Sequence, residues 1–309
     1  MKRQLLFALL AAFTLAPAAH AALQNAPKED IHWMAEHLPE SAQDARYLSL
    51  PWPAFPLEPG RWQLSLQPGY ADTTASDIFE LKGPMVAASA VRGLSGRWGF
   101  EVLGFYDTMT VSGGRGRAVL RSTAPVPLDL PALADFESAH GDYLHYGVGG
   151  ALVHDVPRTG GRRYTVLLGL IADRLEITDY AVTYRLGPVV GSLDHSSSAT
   201  FATPYAGVQY SRPLGSSFTL APRFIAGAPL PPADFDVRLA GPGFDVSSAN
   251  GQGSPGRIGD AFLGLGAGLI HRSGFEILLG ESLYYPVFEK ETHPGVDRAY
   301  MLQVAWHWR

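Results

Sequence analysis

The sequence predicts an all-β chain: an up-and-down antiparallel barrel of about ten strands, led by a short, partly helical N-terminal segment. Three observations predict it. After Arg61, run after run alternates between apolar residues and polar or small ones, a period of two that suits a strand with unlike faces. The 309 residues include 34 glycines and 24 prolines, which punctuate these runs as turns. The gaps between runs alternate between short and mostly longer, as in a chain of hairpins. The count becomes twelve if Ile177 to Leu186 forms a spanning pair with a neighbour.

The N-terminal part reads differently. Lys2 and Arg3, the apolar run Leu5 to Leu15 and the small-residue site Ala19-His20-Ala21 compose a secretory signal over residues 1–21, with a mature start near Ala22. Residues 22–60 show no strand alternation. Within them Asp30 to Leu38 suits a short helix with Ile31, Met34, Ala35 and Leu38 on one face. Pro51, Pro53, Pro56 and Pro59 then space an extended run that holds Trp52 and Phe55. Proline removes ladder donors, so this run is no central strand. Its aromatic side chains are costly to leave in water. The segment is expected to buttress the periplasmic rim of a barrel over residues 61–309, or to plug it.

The strands follow in order. Trp62, Leu64 and Leu66 share one face against Gln63, Ser65 and Gln67. The second strand runs from Phe79 to Arg92. The third sets Trp98, Phe100, Val102 and Tyr106 outward and Glu101 and Phe105 inward. The fourth opposes Leu144, Tyr146, Val148 and Leu152 to Tyr143, His145, Gly147 and Gly149. The fifth carries Tyr164, Val166, Leu168 and Leu170 out. The sixth covers about Thr200 to Arg212, with Thr203, Tyr205, Gly207 and Gln209 on its polar face. Phe218, Leu220 and Phe224 mark the seventh. The eighth opposes Leu263, Leu265, Ala267 and Leu269 to Gly264, Gly266 and Gly268. The ninth carries Phe275, Ile277, Leu279 and Leu283, with Glu281 on the same face, which implies a rim position or a bulge. Long polar loops are expected at 108–141, 187–199 and 229–257.

The tenth strand fixes the medium. Tyr300, Leu302, Val304, Trp306 and Trp308 alternate with Met301, Gln303, Ala305 and His307. About nine residues suffice for a tilted strand to cross a bilayer, and the aromatic pair suits the interface. Here the chain resembles the bacterial outer-membrane β-barrel proteins, which typically end in such a strand as their assembly signal; it departs by one residue, Arg309. The resemblance implies residence in the cell outer membrane of a Gram-negative bacterium. Its implied partners are outer-membrane lipid, lipopolysaccharide and the barrel assembly machinery. Mean hydropathy near zero, +0.02, agrees with alternating faces that cancel.

Chemistry is thinner. The chain has no cysteine, hence no disulfide framework, thiolate metal site or lipoprotein cysteine. A net charge of −5 without a long basic run argues against nucleic acid. No spacing for a metal or a cofactor occurs, so none is expected. Inward candidates for polar work are Glu101, His145, Gln209, Arg223, Glu276 and His307. The expected function is non-enzymatic: a structural barrel, or one allowing limited passage or binding of small solutes. The alternative is a rim hydrolase acting on lipid or lipopolysaccharide, in which His195 takes the proton of Ser197. That His-x-Ser spacing resembles the barrel-type lipid hydrolases of the outer membrane, although Ser198 stands where an asparagine often follows.

Overall fold

The structure is a computed structural model that describes residues 50–75, 79–113, 116–120, 132–186, 189–230, 234–241, 244–248, 261–285 and 298–309. The expected signal (1–21) and the helix at 30–38 lie outside the described residues.

Among the described residues thirteen strands form one antiparallel sheet. In chain order they are β1 (Trp62–Ala75), β2 (Phe79–Gly93), β3 (Trp98–Gly113), β4 (Gly116–Leu120), β5 (Ala132–Pro157), β6 (Arg163–Leu186), β7 (Val189–Leu214), β8 (Phe218–Gly227), β9 (Asp234–Gly241), β10 (Phe244–Ser248), β11 (Ala261–His271), β12 (Phe275–Tyr285) and β13 (Arg298–Trp308). β4 pairs with β5 beyond the end of β3, β9 pairs with β7 beyond the end of β8, and β10 pairs with β9. These three pieces extend barrel strands, so the wall itself has ten. It closes where β1 meets β13, with Leu64 opposite Trp308 and Thr74 opposite Arg298. Closure pairs every strand edge of the ring, which a sheet in lipid requires.

The ten-strand count holds because Ile177–Leu186 continues β6 and makes no new hairpin. A register shift between Ile177 and Tyr180, with Asp179 at φ 54°, marks a bulge there. The bulge turns Tyr180 into the barrel, where it is buried. Glu281 needs no bulge: it pairs in regular register with Tyr300 at the rim.

The expected loops are shorter than read. β3 reaches Gly113, β5 begins at Ala132, and β9 and β10 lie within 229–257. Residues 189–199 belong to β7. Above the lipid both faces of a strand meet polar surroundings. The ladder of backbone hydrogen bonds continues there while the hydropathy alternation fades.

Alternation is sharp where lipid enforces it. Trp62, Leu64, Leu66 and Tyr70 on β1, and Trp98, Phe100, Val102 and Tyr106 on β3, are all exposed. So are Tyr300, Leu302, Trp306 and Trp308 on β13. A continuous apolar surface of this extent is untenable in water. The nine residues from Trp98 to Tyr106 rise about 20 Å along the axis of a tilted barrel. Tryptophans 62, 98, 306 and 308 ring the lower edge, and Tyr70, Tyr106, Tyr146 and Tyr300 the upper, the aromatic girdles of a spanning barrel. Above the upper ring the exterior turns polar: Lys82 meets Asp72 at 3.5 Å, and Arg174 meets Glu176 at 2.7 Å.

The connections at the tryptophan end are short, and Gly96 (φ +59°) and Gly215 (φ +69°) supply the positive φ that two of them need. In spanning barrels the short turns face the periplasm. Residues 50–61 and Trp308 lie at this end.

Candidate functional site: the polar lumen

Period two, which sends apolar side chains to lipid, sends the alternate residues inward. Glu101, His145, Gln209, Arg223, Glu276 and His307 are all buried there. Buried charge demands partners, and the lumen supplies them in three groups; Glu101 belongs to none of these, and its carboxylate oxygens make no hydrogen bond among the described residues.

The first group joins four of the six residues. Arg223 on β8 donates from Nη2 to Glu276 Oε1 at 2.5 Å and from Nε to Gln209 Oε1 at 2.7 Å. His307 Nε2 lies 2.9 Å from Glu276 Oε2. The Arg223–Glu276 pair reaches from β8 to β12 across the intervening β11. Gly268 on β11 makes this possible, since a β-carbon there would collide with Glu276 Oε1 and lie 3.4 Å from Arg223 Nη2.

The second group surrounds His145, which stays apart from the other five. Its Nδ1 lies 2.9 Å from the Tyr143 hydroxyl and 3.9 Å from Asp107 Oδ2, and its Nε2 lies 3.0 Å from Asp173 Oδ2. Phe105 stands edge-on at 5.4 Å. Asp107 pairs with His145 one step inside the Tyr106–Tyr146 pair, so the group lies at the level of the upper aromatic ring. Gly147 beside it is no opening: a β-carbon there would meet Phe105 and, at 2.8 Å, the β-carbon of Asp173.

The third group holds the N-terminal segment. Arg163 donates from Nη2 to the carbonyls of Pro53 and Ala54 at 3.1 and 3.2 Å. Gln209 Nε2 adds a 3.4 Å bond to Pro53 O. The Gln63 amide accepts from Phe55 N at 3.2 Å and donates to the carbonyls of Phe55 and Pro56 at 3.1 Å each. Asp155 accepts from Leu57 N at 2.9 Å and from Thr165 Oγ1 at 2.7 Å. All but the Thr165 bond are to main-chain atoms, which suits a proline-spaced run that cannot join a ladder. Side chains complete the seat. Trp52 is buried; a β-carbon at Gly207 would sit 2.7 Å from its ring. Ala54 shares an apolar cluster with Ala221 and Ile270. Arg309 lies over the Phe55 ring at 3.8 Å.

Sequence reasoning passed over Asp107, Asp155, Arg163, Asp173 and Gln63 as site residues. Parity was the available signal: Asp107 lies six residues beyond Glu101 on the same strand, hence on the same face. His195 and Ser197 lie on β7, paired with Tyr180 and Ile177, and not in a loop. Their side chains are outside the described residues. Asp194 beside them is exposed. Among the described residues no cluster of histidine and carboxylates suits a metal ion, and no helix is long and apolar enough to cross a membrane.

No protein-family profile matches the chain, and no curated protein matches it. Among solved structures it is similar to an outer membrane channel from Pseudomonas putida F1, at 11% identity and TM-score 0.40, covering 84% of this chain and 100% of that one. It is similar to the outer membrane protease OmpT from Escherichia coli, at 9% identity and TM-score 0.43, covering 80% and 94%. A third is LpxR from Salmonella typhimurium, at 11% identity and TM-score 0.28, covering 78% and 99%. At these scores no activity carries over. The closed wall, apolar exterior and aromatic girdles are themselves those of a membrane-spanning β-barrel.

Proposed function

We propose that the chain is a non-enzymatic barrel, closed at rest, which admits small solutes only when residues 50–57 yield. The observation that carries this reading is the seating of that segment. Its main chain is bonded by Gln63, Asp155, Arg163 and Gln209, from four strands of the wall. The buried networks above it line the lumen among the described residues, in keeping with a small barrel whose interior side chains pack against one another. Main-chain bonds of ordinary strength, each about 1 kcal/mol net, make the seat specific yet releasable.

The test uses the full chain. Ala54→Cys with Ala221→Cys places two thiols in one buried cluster, in a protein with no other cysteine. In planar bilayers the reduced protein should show small, intermittent conductance. Joining the thiols, by oxidation or a short crosslinker, should suppress it. Steady conductance that is the same in both states would contradict closure by this segment. Lipid hydrolysis by the wild type, lost in both His195→Ala and Ser197→Ala, would establish the rim hydrolase instead.

A further inference from the structure

Exposed charge is divided between the two ends of the barrel. Every hairpin end on the short-turn side carries an exposed arginine. Arg97, Arg162 and Arg272 stand in the turns between β2 and β3, β5 and β6, and β11 and β12. Arg212 lies at the β7 side of the turn to β8, and Arg61 and Arg309 flank the seam where β1 meets β13. The exposed acid among the described residues at this end is Glu58, 3.9 Å from Arg61. Glu101, Asp155 and Glu276 turn into the lumen and are buried. At the other end Asp72, Asp142, Asp179 and Asp194 are exposed. The chain as a whole has a net charge of −5, so the basic ring is a local arrangement and not the overflow of a basic protein.

Three arginines show what the ring faces. Arg92 lies on the outer face of β2, between Trp62 of β1 and Phe100 of β3, with its guanidinium 5.5 Å from the centre of the Trp62 ring. Arg158 stands 5.6 Å over Tyr164, whose ring lies 4.9 Å from that of Tyr210. Arg212 follows Tyr210 on the same face of β7 and pairs with the exposed Leu220. All three thus belong to the lower aromatic girdle, at the depth of lipid headgroups. None has an acidic partner among the described residues. An aromatic face holds a guanidinium by cation–π attraction, and the fork of N–H groups at its edge matches a phosphate. A water-soluble acidic chain cannot reach this face without entering the bilayer, whereas a lipid phosphate is already there.

We propose that the arginine ring binds anionic phospholipid headgroups in the leaflet at the short-turn end. Arg92, Arg158 and Arg212 take the phosphates, and the arginines of the turns supply the field that gathers charged lipid.

The test folds the full-length protein into phosphatidylcholine vesicles that hold a minor share of phosphatidylglycerol. Bromine near the headgroup is carried either by the phosphatidylglycerol or by an equal share of the phosphatidylcholine. Trp62, Trp98, Trp306 and Trp308, exposed at this end, report contact by quenching. In low salt, brominated phosphatidylglycerol should quench about twofold or more above brominated phosphatidylcholine, and the excess should fall away in high salt as the ring is screened. Glutamine at all three positions, Arg92→Gln with Arg158→Gln and Arg212→Gln, should remove most of the excess, and lysine at the same positions should keep most of it. Lys82→Gln, at the other end, should leave it unchanged. A gel with and without heating confirms that each variant folds; if the triple variant does not, each single glutamine variant should lower the excess. Equal quenching by the two lipids, an excess that survives high salt, or one indifferent to the glutamine substitutions would overturn the proposal. Equal quenching together with salt-sensitive binding of soluble polyglutamate would assign the ring to an acidic protein partner instead.

Discussion

Gly268 shows how a single residue decides what the lumen holds. The ion pair between Arg223 and Glu276 passes over β11 only because Gly268 has no β-carbon there. Gly268→Ala must push a carboxylate that is also held by His307. It should destabilise the barrel by about 1–3 kcal/mol through overpacking, more if the pair breaks. Urea unfolding in lipid vesicles checks this, and an unchanged midpoint would show that the pair yields freely. The sequence announced Gly264, Gly266 and Gly268 as an inward face, but not what crosses it. That depends on which strands β11 separates, and register between distant strands is not written locally. Glu101, His145, Gln209, Arg223, Glu276 and His307 were legible as inward by parity alone. Their grouping, with His145 apart from the Arg223 network, was not.

At the scale of the element, β13 and β7 show where sequence is informative. On β13 lipid demands an apolar residue at every second position, so Tyr300 to Trp308 reads without ambiguity. On β7 the stretch Val189 to Ser198 stands above the band, where nothing demands it, and it reads as loop although it pairs with β6 on both sides of the bulge. Val304→Arg places a charge on the lipid face near the middle of the band and should cost about 2–4 kcal/mol, measured by folding into vesicles. A lumen substitution at Ala305 is no mild control. Ala305 is fully buried opposite Glu276, so an arginine there would be overpacked as well. A near-zero cost for Val304→Arg would mean that β13 does not face lipid as described.

For the whole molecule the account makes two claims at once: the wall is closed in lipid, and the interior is filled. One measurement addresses both, helped by a chain that contains no cysteine. Single cysteines at successive positions from 300 to 308 are labelled during unfolding with an environment-sensitive dye, then folded into vesicles with brominated lipid. In parallel, unlabelled folded cysteines meet a charged, water-soluble thiol reagent. The account predicts quenching by lipid at Leu302, Val304 and Trp306 and not at Gln303 or Ala305. It also predicts that Gln303→Cys and Ala305→Cys resist the aqueous reagent, since both sites are buried against neighbouring strands and the lumen network. Uniform quenching along the strand, or none, would contradict a barrel wall in lipid. Period-two quenching with rapid aqueous labelling at 303 and 305 would contradict the filled interior and describe an open pore.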